Sequence, residues 1–371
     1  MTSTAAFKSP LHQMTQTTPT CLWNDSACEA ELHYALEHGA VGATCNPVIA
    51  VDVVKQEWQF WKERIQELQQ RHPTAGEGEL AWRVIEDMSV LRAALLTPVF
   101  EAHGGRNGRL SVQTDPRAFR NGAAILDQAI VFDSLAPNII VKIPATRAGL
   151  WAIEEATARG ISINATVSFS VPQALAVAEA VERGLDRRSN AGHDVSTMGP
   201  VCTIMVGRLD DWLKVVADKC RITLDPGYLE WAGVAAMKRA YALYEERGYR
   251  TRLLAAAFRN HMHWSEFIGA NVVISPPHTW QVRFNSSDVP VRARMHEPVD
   301  ARIIAELTRL FPDFRRAYEP DGLSPAEFDD FGPTRRTIRQ FSAACHDLER
   351  LVRDVVVADP ESTLKPVCSS S

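Results

Sequence analysis

Short apolar segments rich in β-branched residues alternate along this chain with longer segments of helical periodicity. The short segments predict eight strands, at 20–24, 40–45, 109–114, 138–143, 161–167, 201–206, 252–257 and 271–275. The intervals between them predict helices at 29–38, 51–70, 80–101, 116–132, 148–159, 172–183, 207–220 and 229–247. Such an alternation of strands and helices is typical of a parallel sheet covered by helices.

Eight strand–helix units favour a closed (β/α)8 barrel, with an open doubly wound sheet as the alternative. No glycine-rich phosphate loop follows any predicted strand, which weakens a nucleotide-binding interpretation. We expect a disordered segment at 1–19, the barrel at 20–284, a helical extension packed on the barrel at 285–357 and a disordered tail at 358–371. Helices at 302–311 and 335–357 belong to the extension, and 284–300 is predicted to be a linker or loop.

Lys142 is a cation in the middle of a segment that reads as a buried strand. A lysine in a poorly hydrated site loses part of its preference for the charged form, so its pKa falls. The neutral amine is a nucleophile that forms Schiff bases with carbonyl compounds. The alternative is a lysine at the strand end that reaches solvent or pairs with a carboxylate.

Two predicted strands carry polar residues on one face only. The segment 161–167 has polar residues at 162, 164 and 166, and the segment 109–114 has them at 111 and 113 and continues the pattern at 115. Because helices cover the outside of a parallel barrel, we expect the polar faces to point into the barrel, where they need partners or a ligand. Barrel enzymes carry their catalytic residues at the carboxyl ends of the strands. The polar residues at or near such ends are Asp25, Asn46, Gln113, Lys142, Thr166 and Thr203.

Two arginines also follow predicted strands, and each is a candidate for binding an anion. Arg208 opens a helix after Gly207, and Arg259 comes just past the strand predicted at 252–257. The alternative for any of these polar residues is a satisfied hydrogen-bond network without chemistry.

Composition and charge narrow the function classes. The chain has 371 residues, a net charge of -5 and 23% charged residues, so it offers no electrostatic reason to bind nucleic acid or an anionic membrane. No apolar run approaches a membrane span, and the N-terminus lacks the pattern of an export signal. Seven scattered cysteines without a ligand pattern favour reduced thiols and a cytoplasmic protein, without structural zinc.

Several of these segments resemble the transaldolase family. Residues 42–47 read Gly-Ala-Thr-Cys-Asn-Pro, similar to its Thr-Asn-Pro strand-end motif. Residues 140–146 read Ile-Val-Lys-Ile-Pro-Ala-Thr, which resembles the segment around its active lysine. Residues 164–170, 206–212 and 257–260 are similar to further strand–helix units. The resemblance covers about residues 22–276 and implies a (β/α)8 barrel.

The resemblance also implies a reaction and roles for the residues. Lys142 would form an imine with a ketose phosphate, and a dihydroxyacetone unit would pass from it to an aldose phosphate. Asp25 would move protons during cleavage, and Gln113 and Thr166 would hold or activate the catalytic water. The substrate hydroxyls would bind to Asn46, Asn164 and Thr203, and the phosphate to Arg208 and Arg259.

This chain departs from the family pattern at several positions. Gln113 stands where the family usually has Glu, and an amide can orient water but not accept its proton. The aldolase members carry Gln there together with a Tyr that would fall at Met205, so the aldolase signature is incomplete as well. Ala257 replaces a serine, and Cys45 replaces the Thr or Ser before Asn46.

We therefore expect a transaldolase-like enzyme with no cofactor and no metal. Its partners would be sugar phosphates, with neither nucleic acid nor membrane, and a homodimer is the assembly that we consider. The alternatives are a lyase that resembles fructose-6-phosphate aldolase, a specialised sugar aldolase or transaldolase, and a sugar-phosphate-binding barrel that has lost catalysis. The neighbouring Trp58, Phe60 and Trp61 are predicted to be core or an oligomer contact, and His261 and His263 to be surface or packing residues.

Overall fold

The computed structural model describes residues 7–357 and 359–363 of the chain. Eight parallel strands pair in chain order, and the first closes against the last to form a barrel. The strands are β1 Cys21–Asn24, β2 Ala40–Cys45, β3 Arg109–Gln113, β4 Ile139–Pro144, β5 Ile163–Ser168, β6 Val201–Ile204, β7 Arg252–Ala256 and β8 Val273–Ser275. The (β/α)8 barrel expected from the sequence is therefore confirmed, and the open sheet is wrong.

Helices surround the barrel and cover the outward face of the sheet. The first eight are α1 Pro10–Thr17, α2 Glu29–Glu37, α3 Pro47–Gln56, α4 Trp58–Arg71, α5 Glu77–Ala102, α6 Gly122–Asp133, α7 Arg147–Ala158 and α8 Val171–Asn190. The others are α9 Val206–Cys220, α10 Pro226–Leu229, α11 Ala232–Arg247, α12 Met262–Ser265, α13 His278–Asn285, α14 Ala301–Leu310, α15 Pro312–Tyr318 and α16 Gly332–Val356. Short 3-10 helices lie at Pro116–Ala118, Pro325–Asp330 and Pro360–Thr363.

Successive residues of each strand point to opposite sides of the sheet, and this separates two apolar layers. Val112, Val141 and Ile163 belong to the main core between strands and helices. A smaller cluster of buried residues fills the interior of the barrel, and it consists of Trp23, Ile140, Val201, Leu254, Ala256 and Val273. The interior is thus packed at this level rather than open.

The C-terminal helices add a second apolar core beside the barrel. Phe311, Phe314, Phe328 and Phe331 are almost fully buried there. The long helix α16 contacts α3, α4 and α5 as well as β5, so it lies across the barrel wall. Residues 286–300 form a loop between α13 and α14, whereas the loop predicted at 284–300 included the last two residues of α13.

The expectation of disorder over 1–19 is wrong for α1. Ser9 caps this helix by accepting a hydrogen bond from the backbone of His12, and a proline stands in its first turn. Leu11 and Met14 are fully buried, so the short apolar pair that the sequence analysis overlooked anchors the helix. Residues 1–6, 358 and 364–371, which include most of the predicted disordered tail, lie outside the described residues.

Two predicted helices differ from the observed ones. The helix expected at 51–70 is two helices, α3 and α4, which meet at Glu57. The Glu57 carboxylate accepts hydrogen bonds from the indole of Trp61 and from the buried guanidinium of Arg92. The helix expected at 116–132 is a 3-10 turn followed by α6, which begins after the capping side chain of Asn121.

The described helices include none that is long and apolar enough to cross a membrane. Within the same part of the chain, Cys21, Cys28, Cys45, Cys202, Cys220 and Cys345 are free thiols. Trp61 is fully buried in the core, whereas Trp58 and Phe60 are exposed.

Candidate active site

Lys142 lies on the inward face of β4, two residues beyond the buried Ile140 of the interior cluster. The register pairs Lys142 with Gln113 of β3 and with Asn164 of β5. Only 3% of the Lys142 surface is exposed. No side chain among the described residues is within ion-pair distance of its amine. The alternative of a solvated or ion-paired lysine is therefore wrong.

Burial lowers the pKa of Lys142 from its ordinary value. Asp25 and Cys45 act in the opposite direction and favour the ammonium form, while Arg208 adds to the lowering. Desolvation is the largest of these effects, so the amine is more readily deprotonated than a surface lysine. A neutral amine in this position has the reactivity that imine formation requires.

Asp25 follows β1 and is half buried at the barrel mouth. The hydroxyl of Thr44 donates a hydrogen bond of 2.5 Å to Asp25 Oδ1, and the backbone N–H of Asp25 donates to the carbonyl of Pro276. Thr44 comes from β2 and was not among the predicted site residues. Its position immediately before Cys45 and Asn46, within the Thr-Cys-Asn-Pro run, was the signal that could have identified it.

Gln113 is buried, and its amide is unusual. Neither Nε2 nor Oε1 has a hydrogen-bond partner among the described residues. Leaving a buried polar group unsatisfied costs about 1–3 kcal/mol. A side chain kept in this state beside the reactive amine marks the place where a polar ligand fits.

A chain of hydrogen bonds crosses the interior beside Lys142. Thr203 donates to Asn164 Oδ1 at 2.8 Å, and Asn164 Nδ2 donates to the hydroxyl of Ser111 at 3.0 Å. Thr166, the next inward residue on β5, makes a weak contact of 4.0 Å to the sulfur of Met205. The structure thus brings Asn164, Thr203 and Thr166 to the same end of the barrel as the lysine. Ser111 also joins this network.

Asn46 performs a structural task at the same end of the barrel. Its Oδ1 accepts hydrogen bonds from the backbone N–H groups of Val48 and Ile49, which caps α3. The amide nitrogen is the group that is left to donate to a ligand. Asp115, which the alternation also placed inside the barrel, instead caps the turn at Pro116–Ala118 and pairs with Arg117.

Arg208 stands in the first turn of α9 and is covered by α16. It donates to Gln340 Oε1 at 2.7 Å and to Thr337 Oγ1 at 3.4 Å, and it lies over the ring of Phe341. Burial, together with the positive charge of Arg259, lowers the pKa of Arg208 to about 10. Its Nε is buried without a partner among the described residues.

Arg259 follows β7 and forms an ion pair with Asp211 of α9. Its backbone N–H donates to Nδ1 of His263, which is fully buried against Asp210. His263 is thus a packing residue, as predicted. Sequence reasoning did not connect it or the two aspartates to Arg259, because residues far apart in sequence form these contacts.

Backbone conformations at the mouth are strained at two places. Val167 and Ala257 adopt positive φ angles of 52° and 65°, although neither is glycine. Val167 directly follows Thr166, and Ala257 lies two residues before Arg259. At Gly207 an added Cβ would lie 2.0 Å from the carbonyl oxygen of Ala257, so only glycine allows this approach. Such strain persists where the surrounding structure holds it, often at functional sites.

Among the residues that the structure describes, no group of three or more His, Cys, Asp or Glu side chains could hold a metal ion. The polar groups at the mouth are an amine, a carboxylate, amides, hydroxyls and two guanidinium groups.

The protein is a (β/α)8 barrel whose candidate active site is a buried lysine surrounded by polar groups at the carboxyl ends of the strands. The family model described as Transaldolase/Fructose-6-phosphate aldolase matches residues 22–317, and the chain belongs to this family. The match begins at the second residue of β1 and covers β2–β8 and helices α2–α14.

Curated relatives agree with this assignment. A transaldolase of Mycobacterium ulcerans is 33% identical over 209 residues, which cover 56% of this chain and 55% of that protein. Transaldolase 1 of Streptomyces avermitilis is 35% identical over 222 residues, or 58% of each chain. A transaldolase of Thermobifida fusca is 32% identical over 247 residues, 64% of this chain and 66% of the relative. In the first two comparisons the chain spans little more than half the length of the relative.

Proposed function

We propose that this chain is a transaldolase-like enzyme that transfers a dihydroxyacetone unit from a ketose phosphate to an aldose phosphate. The observation that carries the proposal is Lys142, whose buried amine has a lowered pKa at the mouth of a barrel of this family. The names of the curated relatives support the same reaction.

The reaction begins when the Lys142 amine attacks the ketone carbon of the donor. Loss of water gives the imine, whose positive nitrogen accepts electrons when the bond between the α-carbon and the hydroxyl-bearing β-carbon breaks. Asp25 takes the proton from the hydroxyl of the departing aldose phosphate. The enamine that stays on Lys142 then attacks the aldehyde of the acceptor, and Asp25 returns the proton.

Other residues at the mouth hold the substrate in place. We assign Asn46, Asn164 and Thr203 to the hydroxyl groups, because their amides and hydroxyls lie near the inward face beside Lys142. Gln113 and Thr166 are assigned to the water that is lost and regained. Arg208 and Arg259 are assigned to the phosphate, for which a guanidinium group offers paired donors.

Borohydride reduction in the presence of fructose 6-phosphate tests the proposal. The expected result is one covalent adduct, located on Lys142 by mass spectrometry. Lys142→Met should abolish the adduct, whereas Lys214→Arg, a change on the outer helix α9, should leave it on Lys142. Failure to trap an adduct with any ketose phosphate would contradict the proposal.

A second candidate is a lyase that releases free dihydroxyacetone. It is favoured by Gln113, an amide where the family usually has a carboxylate. Cleavage of fructose 6-phosphate with and without erythrose 4-phosphate distinguishes the two reactions. A transferase should turn over only with the acceptor, while a lyase should release dihydroxyacetone at the same rate without it.

Our proposal extends to partners and organisation. Residues 20–284 would form the catalytic domain and 285–357 an extension that completes its mouth. Sugar phosphates would be the partners, and the reduced thiols suit a cytoplasmic location.

The exposed Trp58 and Phe60 would form the contact of a homodimer. Light scattering of the native protein and of Phe60→Ser tests the last point. A sugar-phosphate-binding protein without catalysis would bind saturably and give no adduct.

A further inference from the structure

Two neighbouring carboxylates on α9 hold the segment that carries Arg259. Asp211 accepts hydrogen bonds from Arg259 Nε and Nη2 at 2.8–3.1 Å. Asp210 holds the same segment indirectly through His263. One carboxylate therefore orients the side chain of Arg259, and the other fixes its backbone.

The contact through His263 specifies its tautomer. Nδ1 accepts the backbone N–H of Arg259 at 3.0 Å, so the ring hydrogen must be on Nε2, which donates to Asp210 Oδ2 at 2.9 Å. The other oxygen of Asp210 accepts from the backbone of Gly233 at 2.8 Å. The side chains of Asp210 and His263 are 0% exposed. A pair this deeply buried holds one geometry, because any other arrangement would leave a polar group unsatisfied.

The donors of Arg259 can be counted individually. A guanidinium group has five N–H donors. Asp211 takes the Nε hydrogen and one Nη2 hydrogen, and the carbonyl of Phe258 takes one Nη1 hydrogen at 2.9 Å. The two donors that remain are one on each terminal nitrogen, and we call this part of the group the outer edge. Two such donors suit two oxygens of a phosphate.

Charge at the mouth points to the same kind of ligand. Arg208 and Arg259 are close enough that the charge of Arg259 disfavours the charged form of Arg208. Asp211 is the carboxylate paired with Arg259, while Arg208 has neutral partners on α16. Asp211 balances one of the two guanidinium charges, so the charge of Arg208 favours an anionic ligand.

We propose that Asp211 and the Asp210–His263 pair are positioning residues that present the outer edge of Arg259 to the substrate phosphate. This inference deepens the proposed function and relies on it for the identity of the ligand. Asp211 thus favours phosphate binding by orienting Arg259, although its own charge is negative.

Binding of inorganic phosphate, measured by calorimetry, tests the inference without requiring turnover. Asp211→Asn should weaken phosphate binding about tenfold, or about 1.4 kcal/mol, because it weakens the charge-assisted hydrogen bonds that orient Arg259. Its KM for fructose 6-phosphate should rise in parallel, with kcat changed less than about twofold. Asp218→Asn removes the same charge from an exposed position of the same helix and serves as the control.

Variants of His263 provide a second measurement. His263→Leu should raise the KM for fructose 6-phosphate, whereas His263→Gln keeps one acceptor and one donor and should restore it. Tighter phosphate binding by Asp211→Asn, or equal loss of kcat and kcat/KM in every variant, would overturn the inference. Borohydride trapping with dihydroxyacetone, which has no phosphate, separates this failure from a failure of the proposed reaction. An adduct on Lys142 would uphold that reaction whatever the phosphate results show.

Discussion

The interior of the barrel has a lower half and an upper half with opposite properties. In the lower half, Trp23, Ile140 and Val201 pack into a closed apolar cluster. In the upper half, only two residues further along the same strands, Lys142 and Thr203 replace them. The lower half is built from groups that gain free energy on burial, and the upper half from groups that lose it.

This difference shows how one sheet provides both stability and a reactive site. The lower cluster keeps the strands in register and closes the barrel from below. The upper half can then hold a desolvated amine and an amide without partners, because their energetic cost is met elsewhere in the fold. Changes in the lower half should therefore alter stability, and changes in the upper half should alter chemistry.

The largest expected effect is the loss of the amine. Lys142→Met keeps most of the side-chain volume but removes the nucleophile, so turnover should fall by more than about a thousandfold. The fold should persist, because an apolar side chain is easier to bury than an amine. Steady-state kinetics and thermal unfolding check both parts. An inactive variant that is also unfolded would contradict the separation of the two halves.

The pH dependence of this variant sharpens the test. The folded protein holds the pKa of Lys142 below its unfolded value of 10.5, so the unfolded chain binds the extra proton between the two pKa values. Native stability should therefore rise with pH in this interval as the cost of burying the amine disappears. Lys142→Met should be more stable than the native protein at neutral pH, and the gap should narrow toward pH 10.5.

Truncation of Trp23 should lower stability and leave the chemistry intact, which is the reverse of the effect expected for Lys142→Met. Trp23→Ala removes a fully buried ring from the lower half and should destabilise the protein by about 3–5 kcal/mol. Denaturant unfolding measures the loss. The protein that remains folded should still form the borohydride-trapped adduct on Lys142, and loss of the adduct from folded protein would show that the halves are coupled.

A methyl group at Gly42 tests the packing around Trp23. A Cβ at this position would lie 2.6 Å from the indole ring. Gly42→Ala should therefore lower stability by about 1–3 kcal/mol through overpacking. Gly76→Ala is the matched control, since nothing lies within 4 Å of its added Cβ. Equal effects of the two changes on the unfolding midpoint would contradict this account.

The smallest expected effect on stability is at Gln113. Gln113→Met removes two unsatisfied polar atoms at similar volume and should stabilise the fold by about 1 kcal/mol. The rate of imine formation should fall, because the residue proposed to hold water is lost. A destabilised variant with full activity would show that the amide has a structural partner instead.

The sequence predicted the barrel because its strands repeat a strong local pattern. Each strand is short and apolar and is followed by a helix, and the polar alternation in β3 and β5 correctly placed Gln113 and Asn164 inside. Lys142 was recognisable because a charge in a buried strand breaks this pattern.

Contacts between distant segments explain most of what the sequence did not predict. The break at Glu57 depends on Arg92, which lies on another helix. The hydrogen bond from Arg208 to Gln340 of α16 joins residues that are more than a hundred positions apart. Periodicity contains no information about such pairs, and a short helix such as α1 has too few turns for a clear apolar pattern.

Helix α1 has a practical consequence for shortened versions of the gene product. Met14 accepts a hydrogen bond from the indole of Trp264, and Asn285 accepts one from the backbone of Leu11. These contacts attach α1 to the segments before and after β8, close to the place where β8 pairs with β1 and closes the barrel. A shortened protein that starts at Thr18 would expose the Trp264 indole and lose the contacts that support the pairing of β1 with β8. Added purification tags are better placed ahead of Phe7 than substituted for α1.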